Sequence, residues 1–331
     1  MHEQQLHVVA IGGGGGASQV LRAAQPFASR LSAVIAVTDT GRSTGLARAI
    51  GSMPAPGDLR STIAAFATDR LMAQLLDHRF DGAGIPQLEG MAFGNLLIAA
   101  LTRVTGDFGR AVEVAAELAG CAAEVLPVST ADAQLCAVLE DGTRVEGELQ
   151  VRGLNKPPIA RVFLREPAAA DPRALAAIRS ADLVALGPGS LFTTILACLA
   201  FEGVAEALRA ARGRVVYICN TTTQPGQTDG LRAADHVRHI VEAVGPGALD
   251  AVLVNSGEPS PETVRAYAAQ GLHLLRPGAD EIAEIEATGV QALVRPLIEQ
   301  SAAPRALWNK QDTIRHDVAA LGDALRELVG A

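Results

Sequence analysis

Two glycine-rich turns are the features of this chain with the clearest chemical potential. The first is a run of five glycines, residues 12–16, which follows a short apolar segment and precedes a run of helix formers. The second is Gly187-Pro188-Gly189-Ser190, which also follows an apolar segment. Glycine allows a positive φ and a close backbone approach, and the helix start behind it offers free N–H groups to a phosphate. Each turn alone is also compatible with a tight connection that binds nothing.

Polar side chains near the predicted strand ends extend this pattern. Asp39 follows the second predicted strand, where a carboxylate can accept a hydrogen bond from a ribose hydroxyl. Thr193 and Thr194 add hydroxyls behind the second glycine turn, and Asn220 opens a polar run over residues 220–228. This run is suited to a base or a sugar, with a capped polar loop as the alternative. The absence of a Walker A lysine disfavours P-loop ATP hydrolysis.

The residues that commonly bind metals or act as nucleophiles are dispersed. The four cysteines contain no C-x-x-C pair, which argues against a zinc site and a disulfide scaffold. His236 and His239 share one face of a predicted helix, but the neighbouring sequence supplies no further zinc ligands. We expect both to be solvated or capping histidines. No Ser-His-Asp or Cys-His arrangement stands out, and the sequence predicts no metal site.

The elements that must position the two turns alternate between strand and helix patterns. Apolar runs at residues 6–11 and 31–37 flank a helical segment at 17–24, which predicts a βαβ unit. Further helices are predicted at residues 58–80, 96–101, 111–119, 174–180, 231–243, 261–270 and 317–328 and from residue 191, with strands at 183–186, 215–219 and 251–254.

Residues 124–165 have a different character. Short alternating segments at 135–139, 145–151 and 159–164, with an Asp141-Gly142 turn, predict a small β-rich insert. The sequence has no internal repeat and no low-complexity linker. We therefore predict one domain over residues 1–331, an α/β fold with a Rossmann-like, doubly wound, mostly parallel sheet and this insert.

The composition agrees with that fold and limits the function. The 331 residues are 49% hydrophobic but only 3% aromatic, which favours buried parallel strands covered by alanine-rich helices. The net charge of −8 disfavours binding to a nucleic-acid polymer. No apolar run approaches the length of a membrane span, and the N-terminus does not resemble a signal peptide. We expect a soluble cytoplasmic protein without membrane insertion.

Taken together, the ordered motifs resemble the YvcK/CofD family, and in particular its YvcK branch of gluconeogenesis factors. The resemblance covers nearly the whole chain. It is carried by residues 8–14, 56–60, 93–96, 186–191, 219–220, 223–226, 235–237 and 315–317, and by Asp39, Gly41, Ser43 and Gly45.

The resemblance implies a nucleotide-diphosphate-linked small molecule as the ligand. In the YvcK branch it is a UDP-sugar, and the role is regulation of central carbon use, cell-envelope synthesis and cell shape. In the CofD branch a transferase moves phospholactate from a guanosine diphosphate carrier to a deazaflavin, with Mg²⁺. The expected ligand-binding residues are Gly13, Gly14, Gly15, Gly16, Asp39, Arg42, Ser43, Asn95, Gly187, Gly189, Ser190, Asn220, Thr223, Gln224 and Arg315.

Four positions at this site depart from the family pattern. One of two paired aspartates is Thr40, and Arg42 replaces a glycine, which favours direct contact of a guanidinium with phosphate over a metal. Gly15 stands where the family has threonine, and Leu231 stands where it has an aromatic residue. We therefore expect any base to be recognised by hydrogen bonds.

Three classes of function remain open at this point. The first is a nucleotide-sugar-binding regulator. The second is a CofD-like transferase, with Asp39 or Asp58 as metal ligand or base. The third, an NAD-dependent dehydrogenase, leaves the second glycine turn unexplained and ranks last. The sequence leaves open both a homodimer and a regulatory protein partner.

Overall fold

The molecule is built on a parallel sheet that runs through its core. The computed structural model describes residues 5–82, 84–86, 88–299 and 314–330, without the side chain of Arg42. The described strands are β1 (His7–Gly12), β2 (Arg30–Ile35), β3 (Glu124–Pro127), β4 (Leu135–Leu139), β5 (Arg144–Glu146), β6 (Ile159–Leu164), β7 (Leu183–Leu186), β8 (Arg214–Ile218), β9 (Ala251–Asn255) and β10 (Gln291–Arg295).

Helices cover both faces of this sheet. The described helices are α1 (Gly14–Ala24), α2 (Arg42–Gly51), α3 (Gly57–Phe66), α4 (Arg70–Asp77), α5 (Phe93–Thr105), α6 (Phe108–Leu118), α7 (Glu148–Val151), α8 (Pro172–Ser180), α9 (Leu196–Leu199), α10 (Val204–Arg209), α11 (Ala233–Val244), α12 (Pro261–Ala268), α13 (Ala279–Glu286) and α14 (Val318–Val329), with a π-helical turn at Leu191–Ile195 before α9. None of the described helices is long and apolar enough to cross a membrane.

The main sheet has seven strands in the order β10-β9-β8-β7-β1-β2-β3. Every neighbouring pair is parallel. The chain extends the sheet in one direction from β1 through β3, then returns to place β7 on the other side of β1. This order is that of a doubly wound Rossmann-like sheet, and its direction reverses between β1 and β7. The predicted fold class is confirmed.

The central strands are almost entirely apolar, because helices cover both of their faces. All six residues of β1 and all four residues of β7 are buried. A half-exposed strand would alternate apolar and polar residues instead. The apolar sequence of β1 therefore indicates that the strand is buried on both faces. The first glycine turn follows directly at its carboxyl end.

Residues 135–164 contain a second, antiparallel sheet in the order β5-β4-β6. The predicted strand at 145–151 is wrong in its second half, because β5 ends at Glu146 and α7 begins at Glu148. Gly147 lies between them with a φ of 89° and breaks the strand. β3, which starts at residue 124, pairs with β2 in the main sheet.

The predicted helix at 58–80 is two helices. Asp69 accepts hydrogen bonds from the N–H groups of Leu71 and Met72, at 2.8 and 3.0 Å, and so caps a new helix, α4. The buried side chain of Arg60, on α3, donates to the carbonyl of Leu76 at 3.3 Å and pairs with Asp77. It holds the two helices together at an angle that one continuous helix could not adopt.

The expectation of solvated or capping histidines on α11 is wrong for His236. Its side chain is completely buried, and Nδ1 lies 2.9 Å from the hydroxyl of Tyr217. Burial lowers the pKa of His236 to about 4, so the ring is neutral at neutral pH. His239 is partly buried, with its ring edge-on to Phe192.

The glycines of the first turn serve close packing. None of the glycines at 12–16 has a positive φ. A Cβ added to Gly16 would lie 1.7 Å from the carbonyl oxygen of Pro188, and one added to Gly14 would lie 2.1 Å from Oγ of Ser61. A Cβ added to Gly15 would meet nothing within 4 Å. The start of α1 therefore lies directly against the β7 turn and α3.

This difference gives a matched test. We expect Gly16→Ala to lower the free energy of unfolding by about 1–3 kcal/mol, since the added methyl group forces the Pro188 backbone to move. Gly15→Ala should leave it unchanged or raise it by up to about 1 kcal/mol, because alanine favours the helix. Urea unfolding of the two variants beside the wild type measures both effects. Equal stabilities would contradict the close approach.

Candidate functional site

A cleft of about 690 Å³ opens at the carboxyl ends of β1 and β7, where the strand order reverses. This is the position at which doubly wound sheets bind ligands. The first and second glycine turns, the polar loop after β8, the start of α3 and residues 314–318 contribute to it. Of the predicted site residues, the lining includes Gly13, Gly14, Gly15, Gly16, Asp39, Asp58, Gly189, Ser190, Asn220, Gln224 and Arg315.

The first glycine turn presents a helix N-terminus to the cleft. Gly13 is the N-cap of α1, and the first intrahelical hydrogen bond runs from the N–H of Ala17 to its carbonyl, at 3.0 Å. The N–H groups of Gly14, Gly15 and Gly16 therefore have no acceptor within the helix. The first turn of α1 carries no acidic side chain. This end of α1 is suited to an anionic group.

The second glycine turn differs from expectation. Donor groups that we expected to face a ligand form hydrogen bonds with side chains of the protein instead. The N–H of Gly189 donates to Oδ1 of Asn220 at 3.3 Å. Oγ of Ser190 donates to Oε1 of Gln227 at 2.7 Å and accepts from the N–H of Thr193 at 3.2 Å. Gly187, with a φ of 81°, shapes the turn and is not among the lining residues. The turn mainly orients side chains of the β8 loop.

Two carboxylates, Asp39 and Asp58, line the cleft. A Cβ added to Gly13 would lie 2.6 Å from Oδ2 of Asp58, so this carboxylate lies against the first turn. Asp39 lines the same cleft from the end of β2. Burial, and then the charges of Asp58 and Asp39, raise the pKa of the Cys198 thiol well above its usual value. The negative charges of both carboxylates thus disfavour the thiolate form of Cys198.

This pair suits Mg²⁺ only in combination with a ligand. In the described ranges, no three His, Cys, Asp or Glu side chains form a group that could hold a metal ion. Mg²⁺ is commonly held by one or two carboxylates together with substrate phosphates. Asp39 and Asp58 could supply that protein share beside the helix start, with ligand phosphates supplying the remainder.

Glu148 is a cleft residue that the sequence reasoning missed. It is only 3% exposed, and its Oε2 accepts from the N–H of Thr40 at 3.2 Å. Its Oε1 accepts from Arg152 at 2.9 Å. The antiparallel insert therefore holds the backbone next to Asp39. The sequence analysis predicted a strand over residues 145–151. Gly147 could have indicated the end of that strand and the start of the helix that carries Glu148.

Residues 314–318 form another wall of the cleft. His316 is buried, its Nε2 donates to the carbonyl of Cys219 at 3.1 Å, and its own carbonyl accepts from Gln19. Burial lowers the pKa of His316 to about 4, which outweighs the opposite effect of the Cys219 carbonyl. The exposed Arg315 is adjacent and brings a cation to the cleft, as Arg22 and Arg152 do from other elements.

Three buried polar atoms of the cleft lining have no hydrogen-bond partner in the described part of the chain. They are Oγ of Ser18, Oγ1 of Thr222 and Oε1 of Gln224. Buried polar atoms are nearly always paired, so a cluster of unpaired ones marks a place where a ligand can supply the missing bonds. Gln224 was among the predicted site residues, whereas Ser18 and Thr222 were not.

Other predicted residues lie outside the cleft lining. Oγ of Ser43 accepts from Nδ2 of the buried Asn95 at 3.0 Å and from the N–H of Ala92 at 2.9 Å. Oγ1 of Thr223 accepts from the N–H of His273 at 3.0 Å. These three side chains brace neighbouring segments, and a direct role in binding stays a prediction. The side chain of Arg42 is outside the described residues. Leu231 is partly buried against the core.

Fold and cleft together define a class: a doubly wound α/β protein with a polar, anion-suited cleft at the reversal of its strand order. Residues 8–298 match the family described as "2-phospho-L-lactate transferase CofD". The chain belongs to this YvcK/CofD-like family, which confirms the resemblance seen in its motifs.

Several relatives in the family match over almost their entire length. The "Gluconeogenesis factor" of Halalkalibacterium halodurans is 36% identical over 327 residues, which cover 98% of this chain and 97% of the relative. The "Gluconeogenesis factor" of Bacillus subtilis is 35% identical over 329 residues, which cover 98% of this chain and 99% of the relative. A crystal structure of a Bacillus halodurans protein has a TM-score of 0.87 at 33% identity, and covers 97% of this chain and 99% of its own.

The two buried neutral histidines make stability depend on pH. The pKa values of His236 and His316 are about 4 in the folded protein, below the unfolded value of about 6.5. The unfolded chain therefore binds more protons between these values. Each neutral histidine contributes about 3 kcal/mol to the free energy of unfolding. This contribution is fully present above pH 6.5 and is lost as the pH falls from 6.5 through 4.

Urea unfolding between pH 7.5 and 4.5 measures this loss. We expect His316→Gln, whose amide nitrogen can still donate to the Cys219 carbonyl, to reduce the proton uptake on unfolding by about one. The pH dependence of His316→Gln would match that of the wild type if the pKa of His316 were the same in the folded and unfolded states.

Proposed function

We propose that this protein is a cytoplasmic regulator that binds a nucleotide-diphosphate-linked sugar of the UDP-sugar type and adjusts central carbon metabolism and cell-envelope synthesis. The observation that carries the proposal is the N-terminus of α1, with Gly14, Gly15 and Gly16, open to the cleft and free of acidic side chains in its first turn. A diphosphate is the anionic group that this end of a helix suits in a doubly wound fold.

The remainder of the cleft suits the other parts of such a ligand. Asp39, at the end of β2, is in the position where a carboxylate accepts from a ribose hydroxyl. Arg22 and Arg315 add positive charge near the diphosphate. The unpaired polar atoms of Ser18 and Thr222 offer partners for sugar or base groups. The volume of about 690 Å³ is within the usual range for a small-molecule site.

The relatives support the regulatory part of the proposal. The Halalkalibacterium halodurans and Bacillus subtilis proteins are both named as gluconeogenesis factors. The two histidines whose pKa values are about 4 are neutral at neutral pH and too weakly basic for general-base catalysis. The hydroxyl of Ser190 is engaged with Gln227. These features favour binding over turnover.

Isothermal titration calorimetry with UDP-N-acetylglucosamine, UDP-glucose and GDP tests the proposal. We expect the wild type to bind a UDP-sugar, and Gly15→Asp to weaken that binding at least tenfold, because a carboxylate in the first turn of α1 repels the diphosphate. Gly15→Asn is the matched neutral control and should weaken binding less. Both should fold, since a Cβ at this position meets nothing within 4 Å. No binding by any of these ligands at millimolar concentration would refute the proposal.

A second candidate is a CofD-like transferase that acts on a nucleotide-diphosphate-linked phospholactate donor. The specific observation in its favour is that two carboxylates line the cleft, Asp58 beside the start of α1 and Asp39 in the loop after β2. With ligand phosphates they could hold Mg²⁺, which would neutralise charge developing on the nucleoside monophosphate that leaves when phospholactate is transferred to the acceptor hydroxyl. The family's transferase name agrees with this candidate.

Mass spectrometry decides between the candidates. A transferase would convert a guanosine-diphosphate-linked lactate donor and a deazaflavin acceptor to product when Mg²⁺ is added, and Asp58→Asn would reduce the rate at least a hundredfold if that carboxylate holds the metal. For the regulator, we expect no product from the wild type under these conditions, while UDP-sugar binding persists.

A further inference from the structure

The side chain of Gln227 has a defined orientation at the back of the cleft. Oγ of Ser190 accepts from both the N–H and Oγ1 of Thr193, at 3.2 and 2.8 Å. Its own proton is therefore directed to Oε1 of Gln227, at 2.7 Å. Oγ1 of Thr193 also lies 3.3 Å from the same oxygen. Because Ser190 donates to this atom, it is the amide oxygen of Gln227, and the NH₂ group is at the other end of the amide.

Asn220 is oriented in the same way. A backbone N–H can only donate, and the N–H of Gly189 lies 3.3 Å from the side chain of Asn220. The facing atom is therefore the amide oxygen, which leaves the NH₂ group for other partners. Both amides line the cleft, and Gln227 is only 9% exposed. In the described part of the chain, neither NH₂ group donates to a protein acceptor.

We propose that Asn220 and Gln227 form an amide pair whose NH₂ groups donate to acceptor oxygens of the bound ligand, and that Ser190 and Thr193 are positioning residues which orient Gln227. The inference rests on the proposed function and deepens it. The sequence pattern suggested that Ser190 would contact phosphate itself; its proton is instead committed to Gln227.

The pair defines the chemistry of the ligand group that it faces. Two NH₂ groups favour carbonyl or phosphoryl oxygens and disfavour an amino group, since a donor facing a donor leaves both buried and unpaired. A uracil carbonyl and a diphosphate oxygen share this chemistry. A cytosine amino group does not. Recognition of this kind requires no aromatic platform, in agreement with Leu231 in the aromatic position of the family.

Gln227→Glu is the sharpest variant, because it has the same shape and keeps an oxygen for Ser190 and Thr193 but replaces the NH₂ donor with a second acceptor. We expect the affinity for UDP-N-acetylglucosamine to fall at least thirtyfold in calorimetry at pH 7.5, with the melting temperature within a few degrees of the wild type. Gln227→Met, which neither donates nor accepts, is the uncharged partner variant and should weaken binding about tenfold.

A double-mutant cycle separates positioning from direct contact. Ser190→Ala should weaken binding about three- to tenfold in the wild type but less than twofold in the Gln227→Met background, because its effect passes through Gln227. If Ser190 contacted the ligand directly, the two effects would multiply. A purely structural role would lower the melting temperature in both backgrounds without this dependence on Gln227.

Comparison of UDP with CDP distinguishes the two sources of the acceptor oxygen. If the pair faces the base, the wild type prefers UDP and Gln227→Glu reduces that preference; if it faces the diphosphate, the variant weakens UDP and CDP equally. A wild type that binds UDP-sugars while Gln227→Glu binds within threefold of it would overturn the amide pair alone. A wild type that binds none of UDP-sugars, UDP, CDP and GDP would overturn both this inference and the proposed function.

Discussion

The cleft depends on the contact between the start of α1 and the β7 turn. Only a hydrogen atom fits between Gly16 and the Pro188 carbonyl, where a Cβ would lie at 1.7 Å. This contact brings the loops that follow β1 and β7 together at the reversal of the strand order. On the other side of α1, Gly14 allows α3 to approach and so brings Asp58 to the first turn. The packing of three elements and the composition of the cleft have the same cause.

The negative net charge of the chain does not exclude the proposed anionic ligand, because the field at the cleft is local. The net charge is −8, yet the donors at the first turn of α1 are backbone groups that carry no formal charge. The amides of Asn220 and Gln227 are neutral as well, and their orientation comes from hydrogen bonds with the β7 turn. Short-range dipoles with fixed directions outweigh a diffuse charge that salt screens within about 8 Å.

The sequence predicted those features that depend on neighbouring residues along the chain. The buried strands β1 and β7 are almost entirely apolar, and the turns behind them are rich in glycine, so the fold class and the place of the cleft could be read directly. The reason for the glycines could not, because close approach to Pro188 is a tertiary contact. Glu148 was missed as a cleft residue for the same reason, and Gln227 was predicted only as part of the polar run at residues 220–228, without its contact to Ser190. Thr40, the partner of Glu148, and Ser190, the partner of Gln227, are both distant in sequence from the residues that they contact.

The position of β7 beside β1 has a consequence for biosynthesis. Val8 pairs with Leu183 in the sheet, so an emerging chain can join β1 to β2 long before the other neighbour of β1 exists. At about 5–20 residues per second, the ribosome needs on the order of ten seconds or more to make the intervening segment. Throughout that interval the hydrogen-bonding edge of β1 is open to pairing with other strands. An interior strand of the finished protein is therefore an edge strand of the nascent one, and a chaperone that covers residues 7–12 would protect this open edge of the growing sheet.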